Sequence, residues 1–339
     1  KAPKWKLIGT DANQYSAGLY KCDFFYTVPK RENSSYILSL LKIIKKHKID
    51  LIYPLSTRDA DYFSKQYIQD KLLPSKVIVS SKESISTANN KIYLYQSLRD
   101  LDLIPEFKVA NDLESAICYL DYFLEDHSAA LLKEPCGTGG SSMVFVGPND
   151  LVDSAPSTGR KFWSLECLQH ISKAKNFYGL APELENLLNK NSWPMLVVPY
   201  LPGDEYSVDV LCDQGEVLNI IVRKRYKAIG GLATVAKTIS SNDVFGNVKE
   251  VISRLGLSYV NNLQFRRDDK GFLKLLEINP RIPGTIGLSV ASGLNLPLAA
   301  CSLALNEVMK LPFPRKDIYV FRYYGAVYSD NLGQPLNEK

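Results

Sequence analysis

Residues 259–280, YVNNLQFRRDDKGFLKLLEINP, constrain the fold more than any other part of the 339-residue chain. Two runs of strand formers flank a DDKG turn, which predicts an antiparallel hairpin. Side chains two apart on a strand share a face. Glu277 and Asn279 therefore point the same way, with Arg281 just past the strand end, while Leu276 and Ile278 point into packing. The turn sets Gln264 opposite Leu275, hence diagonal to Glu277 and on its face. One carboxylate and two amides on a single face suit a hard divalent cation, because Mg²⁺ takes a few protein oxygens and completes its octahedron with phosphate oxygens. Gln264, Glu277 and Asn279 are thus candidate metal ligands, and a nucleotide is implied.

A nucleotide needs phosphate grips, and LLKEPCGTGGSSMVFV (131–146) offers them. Lys133 ends one strand, and Gly137, Gly139 and Gly140 lie in a loop whose amides can approach phosphate with no Cβ in the way. The spacing is neither GxxxxGK nor GxGxxG, so neither a P-loop nor a dinucleotide fingerprint is present. Lys91 stands at a helix start, where the positive end of the helix favours anions. Arg223 and Arg225 share a strand face. They are either solvated charges or a grip, from one of them, on an anionic substrate or on the γ-phosphate, with the following AIGG allowing a loop to close.

The first strand, in KWKLIGTDAN, a helix over 34–47 and further strands in IDLIYPLST and KVIVSS predict a parallel α/β domain over 1–85. Parallel sheets usually bury their first strand centrally, so this domain reads as lacking its own first strand and helix. A partner chain is one source of the missing part. Residues 89–103 read as a capped helix and 112–126 as an amphipathic one. Residues 86–193 form one α+β unit, largely helical over 148–192, and residues 194–312 a second. The latter holds PMLVVPYL, a long hairpin turning at Asp213, Gln214 and Gly215, a helix near 244–255, the hairpin above and an apolar helix over 286–305. A terminal strand and tail occupy 313–339.

Net charge is +5, with Lys+Arg 41 against Asp+Glu 36 dispersed along the chain, which does not indicate nucleic-acid binding. The six cysteines, Cys22, Cys118, Cys136, Cys167, Cys212 and Cys301, form no CxxC pair, and the three histidines lie near none of them. That pattern favours reduced thiols in a cytoplasm over a zinc site. No apolar run reaches the roughly 18 residues of a membrane span.

In this order, IDLIYPLSTRDAD, NNKIYLYQSLRDLDLIPEF, LLKEPCGTGG, VVPYLPGDEYSVDVL and LQFRRDDKGFLKLLEINPRIPG resemble the ATP-grasp superfamily. The likeness is greatest to its branch similar to carbamoyl-phosphate synthase large chains and related carboxylate–amine ligases. The resemblance spans nearly the whole chain. It implies two α+β subdomains gripping ATP behind a truncated α/β domain, with ATP and two Mg²⁺ ions, for which Mn²⁺ can substitute, as cofactors. It further implies Lys91 and Lys133 on ATP phosphates, the Gly137–Gly139–Gly140 hairpin over them, and Pro199, Tyr200 and Leu201 as the adenine hinge. Glu205 falls on the ribose, Gln264, Glu277 and Asn279 on the metals, and Arg281 on the transferred phosphoryl group.

Two positions depart from that pattern. Pro199 replaces an acid common in the hinge, although its carbonyl and the Leu201 N–H can still serve adenine. Gly284 stands where carbamoyl-phosphate synthase sites carry a second arginine, which shifts the expectation from bicarbonate to an organic acid needing room. The resulting expectation is a ligase that activates a small organic or amino acid as acyl phosphate and joins it to an amine. It would act on small molecules only, with no membrane partner, either as a homodimer or with a partner chain. The alternatives are carbamoyl-phosphate-type chemistry on bicarbonate and ammonia, and a non-catalytic ATP-binding subunit.

Overall fold

The computed structural model describes residues 5–137, 143–148, 161–164, 193–229, 231–307, 310–323, 325, 326 and 328. The expected helical stretch 148–192 lies outside the described residues except for Pro148, which is in no helix, and β8 (Lys161–Ser164), which is a strand. Gly139 and Gly140 also lie outside them.

The chain divides into two compact units, residues 1–52, 70–76 and 323–339, and residues 53–69 and 77–322. In the first, β1 (Ile8–Asp11) and β2 (Phe24–Thr27) pair in parallel. Helix Tyr36–His47 follows, burying Tyr36 and Leu40 and closing on a left-handed Lys48. The strands expected in IDLIYPLST and KVIVSS shrink to two residues each, β3 (Leu51–Ile52) and β4 (Lys76–Val77).

The second unit holds two sheets. One has the order β5-β9-β6-β7-β8 and comprises β5 (Lys108–Ala110), β6 (Ala130–Lys133), β7 (Met143–Gly147), β8 and β9 (Met195–Pro199). Helix Leu113–Asp126 is capped by Asp112 in a reciprocal box with Ser115, and lays Leu113, Ala116, Ile117, Leu120 and Phe123 against Leu132, Val144, Val146 and Val197 of this sheet. The other sheet has the order β14-β13-β10-β11-β12-β15. It comprises β10 (Glu205–Asp213), β11 (Glu216–Ile229), β12 (Leu232–Ile239), β13 (Tyr259–Arg267), β14 (Leu273–Asn279) and β15 (Tyr319–Phe321). Helix Asn242–Leu255 packs Val244, Val248, Val251 and Ile252 into a core with Val208, Val210, Val222 and Leu263.

Two expected helices are interrupted. The one over 89–103 is only Lys91–Ser97, because Asn90 ends helix Lys82–Asn89 and caps the next, accepting from the Ile92 and Tyr93 N–H groups. The one over 286–305 splits into Ile286–Ala291 and Leu296–Ala304 around Gly293, whose φ of +102° no helix continues through. Among the described residues no helix is long and apolar enough to cross a membrane.

Candidate functional site

The β13–β14 hairpin carries one correction that matters for the site. Gln264 pairs directly with Glu277, and Asn262 with Asn279, whereas Phe265 pairs with Leu275. Leu276 is therefore an extra residue, a bulge between the two stretches of ladder. Gln264 lies opposite Glu277 rather than opposite Leu275. Before the bulge Leu273 and Leu275 face the core. After it Ile278 does, while Leu276, expected in packing, lines a cleft beside Glu277 and Asn279. The bulge re-aims the strand so that its last turn of alternation presents polar heads.

That cleft has a volume of about 310 Å³ and lies within the second unit. Its lining holds Lys91, Lys133, Gly137, Pro199, Tyr200, Leu201, Glu205, Arg225, Gln264, Glu277, Asn279 and Arg281. Residues spread over nearly two hundred positions thus line one cleft. Lys133 is buried at the end of β6. Lys91 projects from the capped start of its helix, donates from Nζ to the Gly137 carbonyl at 2.9 Å and lies 3.6 Å from Glu277 Oε2. Asn279 Nδ2 donates to Glu277 Oε1 at 3.1 Å. Arg281 is held by Thr57 Oγ1 at 3.0 Å, the Ile282 carbonyl at 3.0 Å and Asn279 Oδ1 at 3.1 Å. Burial lowers the guanidinium pKa of Arg281 from its ordinary value, and Glu277 opposes that shift.

The two arginines of β11 have different fates. Arg225 lines the cleft, ion-paired to Glu205 and donating to the Gly231 carbonyl at 2.7 Å. Arg223 does not line it, so of the two candidate grips, Arg223 and Arg225, only Arg225 reaches the cleft. It is 1% exposed and bound to Asp209, to Ser207 Oγ at 3.0 Å and to the Thr285 carbonyl at 2.9 Å. Asn262 and Ser289 complete the shell of Asp209. A guanidinium buried this deeply needs its carboxylate, so it belongs to the scaffold.

Sequence reasoning missed Tyr95, Asn262, Arg266, Leu276 and Thr285, which also line the cleft. Tyr95 donates to the Leu275 carbonyl at 2.9 Å, and its phenol pKa is raised by burial and then by Glu277. Arg266 covers the Tyr200 ring at 5.1 Å and donates to the Gly203 carbonyl at 3.0 Å, bracing the hinge. Its place beside the Gln264 face of the hairpin was the available signal. Among the described residues no cluster of three or more His, Cys, Asp or Glu could hold a metal. A cation here would draw on the Glu277 carboxylate and the neighbouring Gln264 and Asn279 amide oxygens, a hard donor set short of a full shell. Phosphate oxygens would complete it, so the residues fit Mg²⁺ brought with a nucleotide.

Two sheets facing a cleft crossed by paired lysines, a backbone hinge and this oxygen cluster define an ATP-grasp fold. Residues 191–324 match the family described as ATP-grasp in the biosynthetic pathway with Ter operon, and residues 1–78 match the PylC-like N-terminal domain. The chain has an ATP-grasp fold, and its residues 191–324 match an ATP-grasp family. Among solved structures it is similar to the biotin carboxylase domain dimer of Hydrogenobacter thermophilus 2-oxoglutarate carboxylase in complex with MgADP, ADP and bicarbonate. That likeness has a TM-score of 0.63 and 15% identity over 92% of this chain and 67% of the other. It is also similar to Campylobacter jejuni biotin carboxylase, with a TM-score of 0.61 and 14% identity over 89% of this chain and 66% of that one. An L-amino acid ligase from Bacillus licheniformis gives 0.56 and 16% identity over 84% of this chain and 64% of the ligase. The chain thus spans about two thirds of the length of these proteins.

Proposed function

We propose that the chain is an ATP-dependent carboxylate–amine ligase. The observation that carries this reading is the convergence of Lys91, Lys133, Gln264, Glu277, Asn279 and Arg281 on one cleft bordered by the hinge Pro199–Leu201. A protein that only binds ATP has no need of the half-buried, triply anchored Arg281 beside the oxygen cluster.

In this reading Lys91 and Lys133 neutralise the ATP phosphates, the hinge offers the Pro199 carbonyl and the Leu201 N–H to adenine, and Glu205 serves the ribose. Gln264, Glu277 and Asn279 would hold up to two Mg²⁺ ions, with Mn²⁺ a substitute, supplying charge neutralisation on the phosphate oxygens. Arg281 steadies the phosphoryl oxygens, and Arg225 the substrate carboxylate. A carboxylate oxygen of a small organic or amino acid attacks the γ-phosphorus, the bond to the β,γ-bridging oxygen breaks, and ADP leaves. The amine nitrogen then attacks the acyl carbon, the C–O bond to phosphate breaks, and the amine gives up a proton as the amide or peptide forms. No enzyme nucleophile is required, since positioning and charge neutralisation suffice. Subdomains 86–193 and 194–312 behind an α/β domain, assembly as a homodimer and a cytoplasmic setting belong to the same reading.

The likeness to a domain bound to bicarbonate favours a second reading, activation of bicarbonate with ammonia. One experiment separates the two. MgATP is supplied with a panel of amino acids and dipeptides, or with bicarbonate and ammonia, in the presence of hydroxylamine. The ligase reading expects an organic hydroxamate that requires both acid and MgATP. Carbamoyl phosphate from bicarbonate and ammonia alone would establish the second reading instead.

A further inference from the structure

One end of the cleft is made by the tip of the β11–β12 hairpin and the segment that follows β14. Its walls include Ala228, Leu232, Ala233, Pro283 and Gly284, none with a polar side chain, with Thr285 next to them. The charged groups beside them are Arg225, whose bond to the Gly231 carbonyl ties down the hairpin tip, Arg281, and Arg322, which donates to the Gly284 carbonyl at 3.0 Å. Gly284 is not open space here. A Cβ on it would lie 3.1 Å from Leu232 Cδ1, so the leucine side chain rests against the glycine backbone. Hydrocarbon therefore fills the place into which a longer side chain at position 284 would project.

We propose that this end is a subsite for a carboxylic acid bearing an apolar side chain, and that Leu232 sets the size of side chain accepted. The inference rests on the ligase reading. Arg225 meets the carboxylate, Arg281 the phosphoryl oxygens beside it, and the apolar walls meet the rest of the molecule. A small hydrated anion would leave those walls wet, and an acidic side chain laid against them would lose its water to hydrocarbon, with Arg223 spent on Asp209 and the exposed Arg322 donating to the Gly284 carbonyl. Discrimination by such walls is worth roughly 10–200-fold for each methylene gained or lost.

The test uses the full chain with MgATP and compares glycine, alanine, leucine, methionine, phenylalanine, aspartate and bicarbonate by ADP release and hydroxamate formation. In parallel, calorimetry follows the binding of leucine and aspartate to the chain loaded with MgADP. Leucine or methionine is expected to exceed glycine and aspartate in kcat/KM by at least about tenfold. Leu232→Ala is expected to shift the preference toward phenylalanine, moving KM for the acid and not KM for ATP. Leu232→Met, close in volume, is expected to keep the original preference and guards against a misfolded alanine variant. Preference for aspartate, or an alanine variant that scales every acid equally, would overturn the subsite while leaving the ligase reading intact, whereas preference for bicarbonate would overturn both. Leucine that binds the MgADP-loaded chain without ever yielding hydroxamate would support the subsite and sink the ligase reading.

Discussion

The two sheets that face the cleft are of similar size and opposite internal chemistry. In the five-stranded sheet, β6 and β9 are buried along their whole length, and Lys133 is the single charged residue in either strand. A sheet covered on both faces loses its alternation and reads as a continuous apolar run. The six-stranded sheet instead buries Ser207, Asp209, Arg223, Asn262 and Asn279 on neighbouring strands. One sheet is a hydrophobic slab that lends the site a backbone hinge and one ammonium group. The other is a polar lattice in which each head is held by the next, so its side chains reach the cleft already oriented.

If that contrast holds, breaking the lattice should do more damage than trimming the slab. Asp209→Ala strands Arg223 as an uncompensated buried charge and should destabilise the fold by about 3–5 kcal/mol. Leu132→Ala in β6, which leaves only a cavity, should cost about 2–5 kcal/mol. Denaturant unfolding of both variants checks this, and a loss under about 1 kcal/mol for Asp209→Ala would remove the lattice from the account. Glu277→Ala should do the reverse, leaving stability nearly unchanged while lowering ATP turnover by more than the roughly 10–100-fold typical of removing an outer-shell partner of a metal. Glu277 is a partly exposed member of the cluster, paired only at 3.6 Å with Lys91, so its loss strands no buried charge. A folded variant with normal turnover would end the metal-site reading.

Much of this was legible from the sequence, because the heads that converge sit on strands whose partners are joined by short turns. Alternation alone put Glu277 beside Asn279. The hairpin turn at Gln214 and Gly215, both at positive φ, likewise announces β10 and β11. The register of β14 was not legible from the turn, since a bulge shifts it. The adjacent Leu275 and Leu276, followed by Ile278, were the trace it left, a break from period two to period three in the apolar residues. The split between Arg223 and Arg225 had no local signal. Two residues apart on one face, they differ because Asp209 on the neighbouring strand lies where it captures only Arg223. Register across strands decides that, and no single strand contains it. The Gly284 contact with Leu232 is likewise a meeting of distant segments, which turned an expected space into a wall.

The smallest effect sharpens the comparison most, because Arg266 is where slab and lattice touch. Its strand, β13, belongs to the six-stranded sheet, while the Tyr200 ring beneath its guanidinium follows directly on β9 of the five-stranded one. The arginine also donates to the Tyr200 hydroxyl at 3.2 Å and to the Gly203 carbonyl at 3.0 Å. Gly203 itself donates to the Arg267 carbonyl at 3.0 Å, and a Cβ there would collide with that carbonyl at 2.8 Å. The hinge is thus pressed onto the lattice and held there by one planar cation. A cation over an aromatic face contributes about 0.5–2 kcal/mol, depending on desolvation. Arg266→Ala should therefore weaken ATP binding severalfold by calorimetry, with a small fall in Tm and no change in the acid preference. Arg266→Lys should recover little, because an ammonium cannot stack on the ring and reach Gly203 together. Full recovery by lysine would reduce Arg266 to a bare charge near the nucleotide, and the hinge would then be held by packing and the Gly203–Arg267 backbone bond.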